Sequence, residues 1–466
     1  MKLTARRMIR VGLLAGLTAF AGVSVTAQTL TDALISAYRN SVLLEINRAG
    51  LRATDESVAQ AWAALRPTLS LRGSSGYSAP TYNLDSGSFT HALNLDASLK
   101  LWDGGANYLA AEVARLNVSA ARQTLIDVEQ SVMLNAVTAF MDMRRDTQFL
   151  ALSERSMHVI ERQVQAARDR FEVGDITRTE VSQAESRLAS AVAEVALRQG
   201  NLEISREVYH IAVGVYPGEL QPPPPLPDFP NTLQDAQHIG SHTHPSILRA
   251  QHVVKASEFN VLRAEASTKL NITLSGNINV TQRDFIRVRP LSPSTTSSIT
   301  LGGSLPIYSG GALSSAYRQA LAIDERSRFE LLQAGKIVSQ NVARFWALIN
   351  ISRASIVARH KQVRASRVAL RGVQEEANFG ARTTLDVLDA ERELLIAESN
   401  LVAAQRDEAV AIYSLLSTMG LLTVKHLGLG IATYNTDDNY NRVWNAPVKT
   451  ERGILLKRIF KRAGRN

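Results

Sequence analysis

Cysteine does not occur anywhere in this 466-residue chain. Its absence excludes disulfides, thiolate metal sites, a cysteine nucleophile and an acylated N-terminal cysteine. Long hydrophobic runs are missing too, apart from one. Residues 11–25 form an apolar stretch shorter than the roughly 20 residues that cross a bilayer as a helix. Lys2, Arg6, Arg7 and Arg10 precede it, and Val25-Thr26-Ala27 gives a small-residue cleavage site before Gln28. The pattern predicts a secretory signal peptide over 1–27, against the alternative of a retained anchor. With no comparable run later, a mature chain that crosses a membrane must do so with strands. Phosphate-cradling glycine loops, a nucleophile elbow and an acid pair in a hydrolytic setting are also lacking, so neither an enzyme nor a cofactor is expected.

Net charge is scarce once it is divided along the chain. The formal net charge is +9, but the signal carries four basic residues and residues 449–466 carry seven against Glu451 alone. The body between them is close to neutral. A basic tail can touch nucleic acid or anionic lipid. In an exported protein the expectation is a solvated, flexible terminus within a C-terminal segment 421–466, with no nucleic-acid partner.

What the sequence does have is repetition. Leu101-Trp102-Asp103-Gly104-Gly105-Ala106 returns as Pro306-Ile307-Tyr308-Ser309-Gly310-Gly311-Ala312, with the Gly-Gly pairs 206 residues apart. Gly174 and Gly380 keep that spacing, as do Gly214 and Gly420. Two structural repeats result, 28–220 and 231–420. Between them, residues 221–230 hold six of the fourteen prolines and predict an extended linker.

Each repeat reads as helix, two strands, a long helix, a sharp turn and a returning helix. Phe89, His91, Leu93, Leu95, Ala97, Leu99 and Leu101 alternate with polar or small residues, as do Leu270, Ile272, Leu274, Gly276, Ile278 and Val280. Residues 299–307 continue the pattern and 68–77 give a weaker fourth strand. Lipid on one face and water on the other is what such alternation suits; a half-buried soluble sheet is the other reading. Four strands cannot enclose a water-filled bore, so several subunits must contribute.

The segment 106–173 contains no glycine or proline and would make roughly 100 Å of helix at 1.5 Å per residue. In the returning segments Val181, Leu188, Val195, Leu202 and Tyr209 recur every seven residues, with Ala184 and Ala191 in a second seam. Val387, Leu394, Leu401 and Leu415, with Ala390, Ala397, Ala404 and Ala411, answer them. A seven-residue period means left-handed coiled packing, and alanine seams allow close approach.

The segment Asn378-Phe379-Gly380-Ala381-Arg382-Thr383-Thr384-Leu385-Asp386-Val387-Leu388-Asp389-Ala390, with Arg170-Phe171-Glu172-Val173-Gly174-Asp175-Ile176-Thr177-Arg178-Thr179-Glu180-Val181 as its counterpart, closely resembles the periplasmic turns of the TolC family of outer-membrane efflux and secretion proteins. With the repeat and the paired amphipathic strands, the resemblance runs from Leu30 to Leu422. It implies a mainly α fold with a β-barrel part: each protomer gives four strands to a trimeric twelve-stranded outer-membrane barrel and long coiled helices to a twelve-helix periplasmic tunnel. It implies a homotrimer in the outer membrane of a Gram-negative bacterium, in contact with its lipid and working with a periplasmic adaptor and an inner-membrane ABC or proton-driven transporter. Cargo would be small amphiphiles, type I secreted proteins, or both.

Carried over residue by residue, Asp386 and Asp389 correspond to carboxylates of the entrance constriction. Rings of such groups favour cations and raise one another's pKa; the plainer reading is that both acids stabilise the start of the returning helix. Arg382, Thr179 and Glu180 correspond to the gate network, and Ala377 stands where the family has a tyrosine. The tips Val173, Gly174, Asp175 and Phe379, Gly380, Ala381 resemble adaptor-docking surfaces, although glycine there also ends a helix. His238, His242 and His244 have a spacing that could share a metal but lack further ligands, so no metal site is expected. A periplasmic coiled-coil scaffold or adaptor without a pore is the alternative from another class.

Overall fold

The computed structural model describes residues 28–79, 81, 87–285 and 292–446. The expected signal peptide and the basic stretch 449–466 lie outside the described residues.

The chain runs twice through one order of elements. In the first pass α1 (Leu30–Asn40) and α2 (Val42–Ala63) lead into β1 (Thr68–Ser78) and β2 (Ser88–Trp102), then α3 (Ala106–Glu172) and α4 (Arg178–Val213). In the second, α5 (Leu233–Thr243) and α6 (Pro245–Ala266) precede β3 (Asn271–Phe285) and β4 (Ser294–Ser304), followed by α7 (Ala312–Asn378) and α8 (Thr384–Thr418). A short α9 (Asp437–Val443) closes the described chain. Where one leading helix was expected in each pass, there are two. Ser41 caps a new helix by accepting from Leu44 N. Pro245, which has no N–H to give, opens α6 behind the cap His244.

The strands form one antiparallel sheet in the order β1-β2-β3-β4. Its register places Leu71 opposite Leu95 and Leu95 opposite Ile278. Leu69, Ala97, Gly276 and Ile299 line up in the same way, and Leu99 meets Leu274, which meets Leu301. One face therefore carries an apolar band, which gives way to Ser75, His91 and Gln282 toward the β1–β2 turn. The other carries Arg72, Asn94, Asp96, Asn277 and Asn279, with Asn277 donating to Asp96 at 2.7 Å. β1 and β4 are exposed along their whole length, and Leu69, Ile299 and Leu301 are 71%, 84% and 66% exposed. The fourth strand runs 294–304 rather than 299–307. It starts in polar residues because pairing of Ser294 with Thr281 supplies backbone bonds whatever the side chain, and it stops before Pro306, which has no N–H for the ladder.

α3 and α7 have 67 residues each, about 100 Å at the helical rise. The main core sits around the middle of α3, where Met133, Ala136 and Phe140 meet Tyr209 of α4 and Ile412, Leu415 and Leu416 of α8. Towards the far ends of the long helices only two small apolar clusters persist. Val363, Leu370, Ala377, Val387 and Leu394 pack α7 on α8. Ile160, Val164 and Ala184 receive Leu388 of α8.

The linker 221–230 has no helix or strand but is not loose. Phe229 meets Trp346 of α7 edge-on with ring centroids 5.9 Å apart. Residues 421–446 wrap the leading helices as a strap. Val424 N donates to Glu129 at 2.8 Å, Arg48 lies over the rings of Tyr38 and Tyr434, and Asn439 donates to Asp55 in the interior at 2.8 Å.

Candidate functional site

The site lies at the turns that join α3 to α4 and α7 to α8, about 100 Å of helix from the sheet. Both long helices end alike. Gly174 N donates to Phe171 O and Asp175 N to Arg170 O, each at 2.9 Å; Gly380 N donates to Ala377 O at 3.0 Å and Ala381 N to Glu376 O at 2.9 Å. This paired closure needs a left-handed residue, and Gly174 and Gly380 have φ of +82° and +77°. A Cβ on either would meet nothing within 4 Å. Val173 and Phe379, beside them, are 80% and 87% exposed. The tips are thus free surface, built by helix termination.

The returning helices start on threonine caps. Thr177 Oγ1 accepts from Glu180 N at 3.3 Å, so Glu180 sits in the first turn of α4, with Thr179 exposed beside it. Thr383 and Asp386 make a reciprocal box: Asp386 N donates to Thr383 Oγ1 at 3.2 Å, while Thr383 N and Oγ1 donate to Asp386 Oδ2 at 2.9 Å. The bond from the Thr383 backbone, then that from its hydroxyl, with Arg382 nearby, hold the Asp386 carboxyl below the usual carboxylate value. Within one protomer Asp386 is a capping acid that stays charged; repulsion between copies would act in the opposite direction.

Asp389 is tied across the helices, with Arg187 Nη2 of α4 donating to it at 2.9 Å. Arg382 Nε donates to Glu376 at 2.8 Å, and the protomer does not bring it to Thr179 or Glu180. Ala377 is buried in the α7–α8 cluster. The histidines are occupied locally: His242 Nδ1 lies 2.8 Å from His238 O, and His244 Nδ1 accepts from Ser246 N at 3.1 Å. No group of three or more potential metal ligands occurs among the described residues.

Above the turns the packing turns ionic. Glu398 of α8, 8% exposed, is gripped by Arg155 of α3 and by Arg367 of α7 at 2.6 Å. Further up, Arg406 donates twice to Asp142, at 2.7 and 3.2 Å, and Arg145 spans Asp142 and Asp146. Sequence reasoning missed Arg187, Arg155, Arg367 and Glu398. One signal was available: Glu391 and Glu398 are seven residues apart, each following an alanine of the second seam, and a charge that keeps the seam's period is placed against neighbouring helices.

Burial raises the Glu391 pKa, with Glu398 adding to it and Arg155 and Arg162 opposing. An acid raised on folding favours the folded state below its unfolded value, near 4.5, and loses that contribution as pH rises through the folded value. Glu391→Gln is accordingly expected to raise the melting temperature at pH 8 and leave it unchanged at pH 4. A melting curve at each pH checks this, and equal shifts at both would remove the burial account.

The family model described as outer membrane efflux protein matches residues 34–208 and 242–421. The outer membrane efflux protein BepC of Brucella suis is 32% identical over 94% of this chain and 95% of its own length. The outer membrane protein TolC of Vibrio cholerae is 23% identical over 68% of this chain and 74% of its own. The solved structure of CusC superposes with a TM-score of 0.74 at 20% identity, over 84% of this chain and 92% of that one.

Proposed function

The chain belongs to the outer membrane efflux protein family, and from that premise we propose that three copies build a passive export duct through the outer membrane into the periplasm. One observation carries the reading. One face of the sheet carries an apolar band through Leu69, Leu71, Leu95, Leu99, Ile278 and Leu301, no helix of its own chain covers β1 or β4, and both edge strands lack a further partner among the described residues. In hydrocarbon each unsatisfied backbone group costs several kcal/mol, so β4 of one copy must pair with β1 of the next until the wall closes. Three copies give twelve strands, with the Asn and Asp face turned to the bore. The absence of a long apolar helix among the described residues leaves this route open.

Beneath the barrel, α3, α4, α7 and α8 of each copy continue the wall as a twelve-helix tunnel. Its far mouth is formed by the two turns, with Asp386 and Asp389 at the constriction and Arg382, Thr179 and Glu180 at the contacts between copies. The exposed tips at Val173, Gly174, Asp175 and Phe379, Gly380, Ala381 are where a periplasmic adaptor docks. Energy comes from an inner-membrane ABC or proton-driven transporter, since the duct itself performs no reaction. Its cargo is small amphiphiles, type I secreted proteins, or both.

The test is reconstitution. Detergent-purified protein is expected to form discrete conducting channels in planar bilayers; a water-soluble, non-conducting product would favour the scaffold reading instead. Arg382→Ser is expected to raise closed-state leak severalfold, whereas Glu376→Gln, which removes Arg382's partner within its own protomer, leaves leak near the parent's. Equal leak in both variants would assign the effect to the local pair and end the inter-copy role of Arg382.

A further inference from the structure

The two returning helices do not close on each other. α4 packs along α3, and α8 packs on α3 and α7, but α4 and α8 meet sparsely. Between them, with α3 as its floor, lies a cavity of about 490 Å³, within the roughly 300–1,000 Å³ typical of small-molecule sites. Each helix turns one stripe to it. On α3, Ser153, Ser156 and Ile160 fall at i, i+3 and i+7, and on α4 Arg187, Ser190, Ala191, Glu194 and Arg198 keep the same helical spacing. α8 supplies Leu388, Arg392, Leu395, Ile396, Ser399 and Asn400. Serine and alanine on the first two stripes are too short to fill the space, so the cavity is written into the sequence.

The lining is divided by polarity. Leu388, Leu395 and Ile396 of α8, with Ile160 of α3, give an apolar wall. Against it stand three arginines and, of the acids, Glu194 alone. Arg198 is pinned, its guanidinium 2.7 Å from Glu194 and 4.9 Å from the centroid of the Phe149 ring. Arg187 shares its charge with Asp389. Arg392 has no ion-pair partner among the described residues. On the floor the hydroxyl of Ser156, a residue 3% exposed, has no partner at hydrogen-bond distance, although the Glu391 carboxyl is near enough to feel it. A buried hydroxyl left unpaired is costly, and an occupant that accepts from it removes the cost. Water would satisfy the hydroxyl but not the apolar wall, and a wholly apolar molecule would leave Arg392 without a counter-charge.

We propose that this cavity binds an amphiphilic organic anion, a carboxylate or sulfonate on a compact apolar body, which bridges α4 and α8. The body lies on Leu388, Leu395 and Ile396, the charge goes to Arg392, and Ser156 Oγ donates to an oxygen of the occupant. One molecule is then held by both returning helices. Because it fits only while they keep their present separation, it opposes their moving apart. The site lies within a single chain and stands without the barrel, whereas its effect on conduction rests on the duct reading.

Naphthalene-2-sulfonate is the probe, with naphthalene-2-methylammonium as its cationic counterpart, each titrated calorimetrically into full-length protein in lipid nanodiscs and into empty discs. The sulfonate is expected to bind saturably and at least about tenfold more tightly than the ammonium. Arg392→Glu should remove that preference, and Ser190→Trp, which places an indole in the cavity, should abolish binding of both. Ser156→Ala should weaken the sulfonate severalfold while the melting temperature without ligand stays at or above the parent's, because the unpaired hydroxyl is gone. Equal affinity for the two probes, or binding untouched by Ser190→Trp, would overturn the proposal, as would a groove that takes a helical peptide and neither probe. In planar bilayers the sulfonate should lower the leak of Arg382→Ser at least about twofold. Saturable binding with unchanged leak would end the bridging role, whereas absence of any conductance in the parent would count against the duct and leave the site as it stands.

Discussion

Gly420→Ala is expected to lower the yield of folded, membrane-inserted protein at least about tenfold. Gly420 closes α8 with φ +79°: its N–H donates to Ser417 O, and Leu421 N donates to Leu416 O, each at 2.9 Å. A Cβ there would stand 2.6 Å from Thr243 O and 2.8 Å from Thr243 C. Those are backbone atoms, already drawn in because the Thr243 hydroxyl donates to Met419 O, so neither side can give way. The left-handed conformation alone costs a side chain about 1–2 kcal/mol, and the clash adds to it, placing the change among severely destabilising ones. Gly380→Ala provides the comparison, with a nearly equal φ and no atom within 4 Å of its Cβ. It should cost only the conformational part and leave yield within about twofold of the parent. Similar yields for the two variants, measured as heat-resistant protein in membranes, would show that the α8 terminus is not held as described.

Asp386→Ala combined with Asp389→Ala is expected to abolish most cation selectivity and to weaken block by multivalent cations at least about tenfold. In the proposed duct three copies bring six carboxylates to a narrow aqueous mouth, and rings of this kind select by charge. The two acids do not contribute equally. Asp386 is held ionised by its bonds from Thr383, while Asp389 is partly neutralised by Arg187. Arg187→Ala should therefore act in the opposite direction, strengthening multivalent block by freeing Asp389. Reversal potentials in asymmetric salt decide the matter: unchanged selectivity in the double variant would confine both acids to the helix start. The capping box is broken in either case, so a conservative Asp386→Asn, which keeps an acceptor oxygen, should lose selectivity while retaining fold.

Much of this was open to reading from the residues. Strands 88–102 and 271–285 were visible because Leu93, Leu95, Ile278 and Val280 keep a two-residue period, and the period is dictated by lipid or core on one side. The long helices were bounded by their punctuation, Gly105 and Gly311 before them and Gly174 and Gly380 after them. The resemblance to the TolC family is borne out by the family match and by the relatives. What escaped was what chain distance conceals. Asp55 meets Asn439 across 384 residues, and Arg187 meets Asp389 across 202. Neither residue of either pair carries a local mark of its partner. The strap 421–446 has little period of its own, since its conformation is set by Glu129, Tyr38 and Asp55 rather than by its own side chains. Gate and constriction residues stand apart again, because the contacts proposed for them lie between copies.

The unequal distribution of the core has a mechanical meaning. Around Phe140 and Leu415 eight helices contribute to one continuous packed interior, whereas below Ile160 each pair of helices is joined by a handful of apolar residues and a few exposed ion pairs. Local opening free energy follows buried contact density, and exposed pairs add little to it. The proposed duct is therefore a stiff collar carrying a compliant nozzle, in which a pull applied at the tips would be spent on dilating the lip before it strained the packed interior above.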